Sequence, residues 1–214
     1  MFNIYQKQKI NKKAGFTLVE LLVTISIFVI LTGVVLFNSN SFDSTVLLNN
    51  FGYDIALTIK QAQSFGVNVR EDNTGNFSSS TGVYFNTNIG PNENGSLTNF
   101  ILYTDINGDK KYADGNVNIC PTGDTSNLEC IQKYSMRNGT HIESICAGND
   151  NNDCDSNIKK LSIIFTRPSL EANIFINDES QQRRAYAKIT LAASNGASTS
   201  VIVTSAGQIY VKNK

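Results

Sequence analysis

The stretch KKAGFTLVELLVTISIFVILTGVVLF, residues 12–37, decides the architecture of this chain. Between Phe16 and Phe37 the only charged residue is Glu20. A helix needs about 20 mostly apolar residues to cross a bilayer, and this run has that length. It is too long for the apolar core of a secretory signal peptide, and no Ala-x-Ala cleavage site follows it. We therefore predict a transmembrane helix over residues 16–37.

The charges of the chain are balanced overall but uneven at its start. There are 18 basic and 18 acidic residues, which argues against a general polyanion binder. The segment before the apolar run contains Lys7, Lys9, Lys12 and Lys13 and no acid. Basic segments beside a membrane helix tend to stay in the cytoplasm. We therefore expect a single-pass protein whose C-terminal domain lies outside the cytoplasm.

Glu20 is the exceptional residue of the apolar run, because a carboxylate in hydrocarbon is costly unless it is paired. One interpretation places it near the interface, since it lies only four residues beyond Phe16. The other supposes cleavage between Gly15 and Phe16, which creates a new amino group at Phe16. That amine and Glu20 of a neighbouring subunit would then neutralise each other and set the axial register of packed helices.

The string from Lys13 to Leu22, KAGFTLVELL, closely resembles the class III signal of type IV pilins and type II secretion pseudopilins. The resemblance implies that prepilin peptidase cuts after Gly15 and that Phe16 becomes N-methylphenylalanine. It also implies that Glu20 guides assembly. The implied partners are other pilin or pseudopilin subunits, prepilin peptidase and the inner-membrane assembly platform. The implied protein is structural and not an enzyme, and it moves from the bacterial inner membrane into an envelope or cell-surface filament.

One departure from that family concerns proline. Many major pilins have a helix-kinking proline about 20 residues into the mature helix, whereas this chain has none before Pro91. Gly33 is the weakest helix former of the arm, by about 1 kcal/mol relative to Ala. The missing proline favours a minor pilin or a pseudopilin, with a major pilin as the alternative.

The remainder predicts a helix followed by strands. Apolar residues recur at helical spacing from Leu48 to Ala62, which indicates an amphipathic helix that Gly66 ends. Strands are predicted from β-branched and aromatic runs between Gly, Asn, Asp and Ser turns. The predicted strands are Val67–Arg70, Gly82–Asn86, Phe100–Asp105, Ile131–Arg137, His141–Cys146, Lys160–Thr166, Ala172–Ile176, Ala185–Ala193, Ser198–Thr204 and Gln208–Lys212.

This order indicates an α+β fold, in which a long apolar stem helix is followed by an amphipathic helix packed on an antiparallel, sheet-rich domain. The predicted divisions are a leader peptide over residues 1–15, a transmembrane or filament-core helix over 16–37, an amphipathic stem helix over 38–66 and a globular domain over 67–214.

Two stretches narrow the resemblance to the GspH/FimT group of minor pseudopilins and minor pilins. They are DIALTIKQAQSFGVNV (54–69) and VIVTSAGQIYVKN (201–213). Members of that group implicated in DNA uptake have an arginine-containing C-terminal motif. Here the tail has Lys212 and Lys214 instead, which argues against nucleic acid as a partner. A minor pilin that binds DNA or a surface is nevertheless the alternative function.

Three other basic residues could also contact nucleic acid. Arg183, Arg184 and Lys188 lie near a predicted strand start, and we expect no interleaved pattern of aromatic and basic residues there, so a solvated strand edge is favoured over a nucleic-acid patch.

Four cysteines lie between Cys120 and Cys154, and their spacing suggests two local loops, Cys120–Cys130 and Cys146–Cys154. Disulfides are typical of compartments outside the cytoplasm. Reduced thiols and a metal site are the alternatives, although the chain has one histidine, His141, and lacks a CxxC pair.

Acidic and amide side chains alternate at Asp105, Asn107 and Asp109, and Asp114 follows. Calcium prefers such oxygen ligands, so these residues are a candidate calcium site. The alternative is an Asx-rich turn whose side chains bond nearby amides. No other cofactor is expected, and no GxSxG or Walker motif is present.

Overall fold

The computed structural model describes residues 15–68, 79–91, 93–113, 115–121, 129–150, 153–155, 157–179 and 183–213, and side chains at 37–42 are not described. The leader lysines, Asp114 and Lys214 lie outside these residues. Packing divides the chain into two units, Met1–Asn40 and Ser41–Lys214.

A single helix, α1 (Leu18–Val67), includes both of the predicted helical segments. Its second half has a buried face formed by Leu48, Ile55, Ile59 and Ala62, at the three- and four-residue spacing that predicted it. The predicted stop at Gly66 is wrong, because the helix runs one residue further. Gly66 has instead a packing role: a Cβ atom there would lie 2.8 Å from the Phe165 Cβ atom and even closer to the Phe165 carbonyl oxygen.

In the described residues, ten strands follow the helix and pair antiparallel in two five-stranded sheets, which confirms the predicted α+β class. The first sheet has the order β3-β2-β1-β6-β7, and the second has the order β10-β9-β8-β4-β5. The strands are β1 (Ser80–Asn86), β2 (Asn99–Asp105), β3 (Cys130–Ser135), β4 (His141–Gly148), β5 (Cys154–Asp155), β6 (Lys160–Phe165), β7 (Ala172–Ile176), β8 (Tyr186–Ala192), β9 (Ser198–Thr204) and β10 (Ile209–Asn213).

Most predicted strands match, and two differences have local causes. The strand predicted at Val67–Arg70 is wrong at Val67, which is the last residue of α1, while residues 69–70 lie outside the described part of the chain. Strand β5 was not predicted, because its two residues, Cys154 and Asp155, are too short to show alternation.

The main core of the domain lies where the second half of α1 meets one face of each sheet. Side chains from β1, β2, β6 and β7 join side chains from β4, β8 and β9 in one cluster with Ile55 and Ile59. The first sheet also buries its other face, where Tyr84, Tyr103 and Tyr112 form a second cluster. Among the described residues, the outer face of the second sheet is therefore the face without a buried apolar cluster.

Candidate functional site

The residues of the predicted cleavage site lie in an exposed segment directly before α1. Gly15, Phe16 and Thr17 are not helical, and all three are exposed. The Phe16 side chain is 86% accessible. Such a nonhelical, accessible junction suits a peptidase, because proteolytic cleavage occurs preferentially at exposed segments outside regular structure.

Thr17 and Glu20 cap the helix together. The Thr17 amide donates to Glu20 Oε2 at 3.0 Å, and the Glu20 amide donates to Thr17 Oγ1 at 3.3 Å. The Thr17 hydroxyl also donates to Glu20 Oε2 at 2.9 Å. This reciprocal pair is a capping box. The Thr-x-x-Glu spacing is its sequence signature, so the charge of Glu20 accounts for only part of its role.

The apolar arm beyond the cap, Leu18–Leu36, is long and apolar enough to span a membrane, and none of it is buried within the chain. Its large side chains are exposed, with Phe28 at 70% and Val35 at 68%. So much exposed apolar surface is unstable in water. The arm therefore requires lipid or other apolar helices around it.

Both disulfide bonds lie in the domain and join the local pairs suggested by spacing. Cys120 is joined to Cys130 at the start of β3, and Cys146 of β4 is joined to Cys154 of β5. The described residues contain no free cysteine. The second bond ties the short strand β5 to the edge of its sheet.

The candidate calcium residues form the hydrogen bonds expected of an Asx-rich turn. Asp105 accepts from the amides of Gly108 at 2.8 Å and Lys110 at 3.1 Å. Asn107 Oδ1 accepts from the Asp109 amide at 2.9 Å. Among the described residues, no group of three or more His, Cys, Asp or Glu side chains could hold a metal ion. Calcium binding stays a prediction, because Asp114 lies outside those residues.

Glu129 is a member of this loop cluster that the sequence did not reveal. Its two carboxylate oxygens accept from the Ile106 and Ala113 amides at 3.3 Å and 2.9 Å. Burial raises the pKa of both Glu129 and Asp105, and their mutual repulsion raises the pKa of Glu129 further. Glu129 is 24 residues from Asp105 in sequence, so only the pairing of β2 with β3 brings them together.

The basic residues considered as nucleic-acid ligands do not lie together in the structure. Arg183 donates to Glu171 at 3.1 Å and is thereby partly neutralised. Lys188 and Lys212 instead line a shared depression with Tyr186 and Tyr210. The expectation that no aromatic residues accompany Lys188 is therefore wrong. Each of the two strands, β8 and β10, contributes one tyrosine and one lysine to the depression.

His141 is the first residue of β4, and its Nδ1 atom lies 3.2 Å from the Gly139 carbonyl oxygen. Within the described residues it has no cysteine or acid partner. A nucleophilic or metal role has no geometric support there.

Comparison with known families gives one match. Residues 10–36 match the model of the prokaryotic N-terminal methylation motif. Neither the curated proteins nor the solved structures contain a match to this chain. That motif is typical of type IV pilin-type and pseudopilin precursors, and it implies processing by prepilin peptidase and assembly with other pilin subunits.

Proposed function

We propose that this chain is a minor, GspH/FimT-like subunit of a type IV pilus or type II secretion filament. Prepilin peptidase cuts it after Gly15 and methylates Phe16. The mature chain is then held in the inner membrane by its apolar helix, with its domain outside the cytoplasm, until assembly. The match at residues 10–36 supports this proposal most directly. The absence of proline before Pro91 supports a minor role.

The exposed arm explains why the mature chain would enter a filament. The 19 residues from Leu18 to Leu36 form a helix of about 28 Å, at about 1.5 Å per residue. That length matches the roughly 30 Å hydrocarbon core of a bilayer. Leaving the membrane is feasible only if the arms of other subunits replace the lipid around these side chains.

Glu20 can serve its own helix and a neighbour at once. Both bonds from Thr17 go to Oε2, and within the described residues Oε1 accepts none. The Phe16 amine released in a neighbouring subunit would therefore find one free carboxylate oxygen. The charge of Glu20 would be neutralised while both hydrogen bonds from Thr17 to Oε2 remain in place.

Two substitutions separate the capping role of Glu20 from its pairing role. Thr17→Ala removes the hydroxyl of the cap but leaves the carboxylate, whereas Glu20→Gln keeps a side-chain oxygen that can accept from Thr17 but removes the charge. We expect Glu20→Gln to be inserted and cleaved normally but to be incorporated about tenfold less into sheared filaments. Thr17→Ala should be incorporated nearly as well as the unmodified chain.

Immunoblots of membrane and filament fractions would measure this ratio, and precursor size on a gel would report cleavage. Gly15→Leu is the processing control and should accumulate as the slower precursor. Equal loss of incorporation in Thr17→Ala and Glu20→Gln would refute pairing and leave capping as the role of Glu20. Normal incorporation of Glu20→Gln would refute it as well.

A further inference from the structure

The outer face of the second sheet has a depression built from a repeated tripeptide pattern. The cavity has a volume of about 400 Å³, within the range of about 300–1,000 Å³ usual for ligand sites. Tyr186-Ala-Lys188 lies in β8, and Tyr210-Val-Lys212 lies in β10. Residues two apart on a strand point to the same face. Each strand therefore presents one ring and one ammonium group to the cavity.

Strand β9 fixes the spacing of these groups, because it lies between the other two. Ile202 pairs with Lys188 on one side and with Tyr210 on the other. Neighbouring strands are about 4.8 Å apart, so these two residues stand about 10 Å apart across the sheet. In the next row Ser200 lies between Thr190 and Lys212. The lysines therefore occupy opposite sides of the depression, with hydroxyl groups between them.

The depression has an apolar floor and an open aromatic wall. Ile202 is 4% exposed and Tyr186 is 6% exposed, although both lie on an outer sheet face. Tyr210 is 46% exposed and leaves ring surface available. Burial, together with Tyr210, raises the pKa of Tyr186, so this phenol stays a neutral hydrogen-bonding group at physiological pH.

Within the part of the chain that the structure describes, the ammonium groups of the two lysines form no ion pair. The ion pairs there are Lys160–Asp178 and Arg183–Glu171, away from this face. Neither Lys188 nor Lys212 donates a hydrogen bond from its ammonium group to a described residue. Glu143 also lines the cavity. The site therefore offers two cations and one carboxylate.

We propose that this face binds a short acidic carbohydrate, with carboxylate or sulfate groups at Lys188 and Lys212. The exposed Tyr210 ring would pack against the C–H face of a sugar, since a tyrosine has an apolar body and a polar tip. The hydroxyl groups of Thr190 and Ser200 and the carboxylate of Glu143 would bond sugar hydroxyls.

Charge favours a sugar over single-stranded nucleic acid. Nucleic-acid grooves track a phosphate at each nucleotide with several basic residues. Here the described lining has two lysines and one carboxylate, which are too few positive charges to follow a phosphate at every nucleotide. An acidic sugar alternates charge with neutral hydroxyls, which matches the mixture of lysine, hydroxyl and carboxylate groups. This inference depends on the domain fold and does not require filament assembly.

Calorimetric titration of the full mature chain in detergent would test the site. The probes are a tetrasaccharide of alternating glucuronate and N-acetylglucosamine, a neutral N-acetylglucosamine tetrasaccharide and a 12-residue oligothymidylate. We expect the acidic tetrasaccharide to bind at least tenfold more tightly than the other two. Lys188→Met with Lys212→Met should weaken it at least about tenfold, because two charge-assisted hydrogen bonds are lost while the aliphatic stems remain.

The control variant is Lys159→Met, an exposed lysine beside β6 and outside the cavity. It should bind as the unmodified chain does. Tyr210→Ala should weaken binding while the circular dichroism spectrum stays unchanged. Four results would overturn the proposal: binding of the neutral sugar at equal strength, tighter and steeply salt-dependent binding of oligothymidylate, no binding up to millimolar probe, or equal weakening by Lys159→Met.

Discussion

Docking of the second half of α1 on the two sheets is tested by two substitutions on opposite faces of the helix. Ile59 is fully buried, whereas Leu57 is 66% exposed. Ile59→Ala and Leu57→Ala each remove three carbon atoms. Because the deleted groups are equal in number, the difference in stability reports mainly burial.

The structure sets the magnitude of each effect. At about 0.8 kcal/mol for each buried methylene, Ile59→Ala loses about 2.4 kcal/mol of transfer free energy. With the cavity that remains, the total loss in free energy of unfolding is about 2–5 kcal/mol. The better helix propensity of Ala offsets less than about 0.7 kcal/mol of this loss. Leu57→Ala should change the free energy of unfolding by no more than about 0.5 kcal/mol.

Thermal unfolding of the mature chain in detergent, followed by circular dichroism, would measure the difference. A loss of about 3 kcal/mol corresponds to a fall in Tm of about 6–12 °C for a chain of this size. Equal Tm values for the two variants, or a larger fall for Leu57→Ala, would refute the assignment of the packed face.

The remaining predictions concern the loops of the domain. Gly207→Ala should lower the free energy of unfolding by about 1–3 kcal/mol more than Gly196→Ala does. Both glycines have φ near +80°, but only at Gly207 would a Cβ atom collide with a backbone carbonyl, that of Leu170. Urea midpoints would measure the difference, and equal losses in the two variants would contradict the close approach. Asp105 and Glu129 have raised pKa values in the folded state, so each favours folding fully below its unfolded pKa, near 4, and loses that contribution as pH rises through its folded pKa. The double variant Asp105→Asn, Glu129→Gln should therefore gain stability relative to the unmodified chain as pH rises from about 4 to 7, and a difference that does not vary with pH would contradict the buried ionisation.

The apolar arm and the N-terminal methylation motif were predictable because their information is local. Gly15, Phe16 and Glu20 lie within six consecutive residues, and an apolar run is visible without knowledge of any partner. The helical face containing Ile59 was predictable for a related reason, since helical periodicity repeats within four residues. The Thr17–Glu20 cap was equally local and could have been found from its spacing.

The aromatic and basic surface was not predictable in that way. Tyr186-x-Lys188 and Tyr210-x-Lys212 are visible in the sequence as separate patterns. The residues around each pattern do not indicate that β9 lies between them or that they share one face of a sheet. The same holds for Glu129, which joins Asp105 only through sheet pairing.

The sequence by itself determined the class of the chain: a basic N-terminal segment, an apolar helix with one carboxylate, and an α+β domain. It also indicated the two disulfides, because their partners are 10 and 8 residues apart. Only the tertiary structure decided that the strands divide into two sheets around α1, with one sheet face left open. The reason is physical: helix periodicity and apolar length depend on neighbouring residues, whereas strand order and register depend on burial shared among segments distant in sequence.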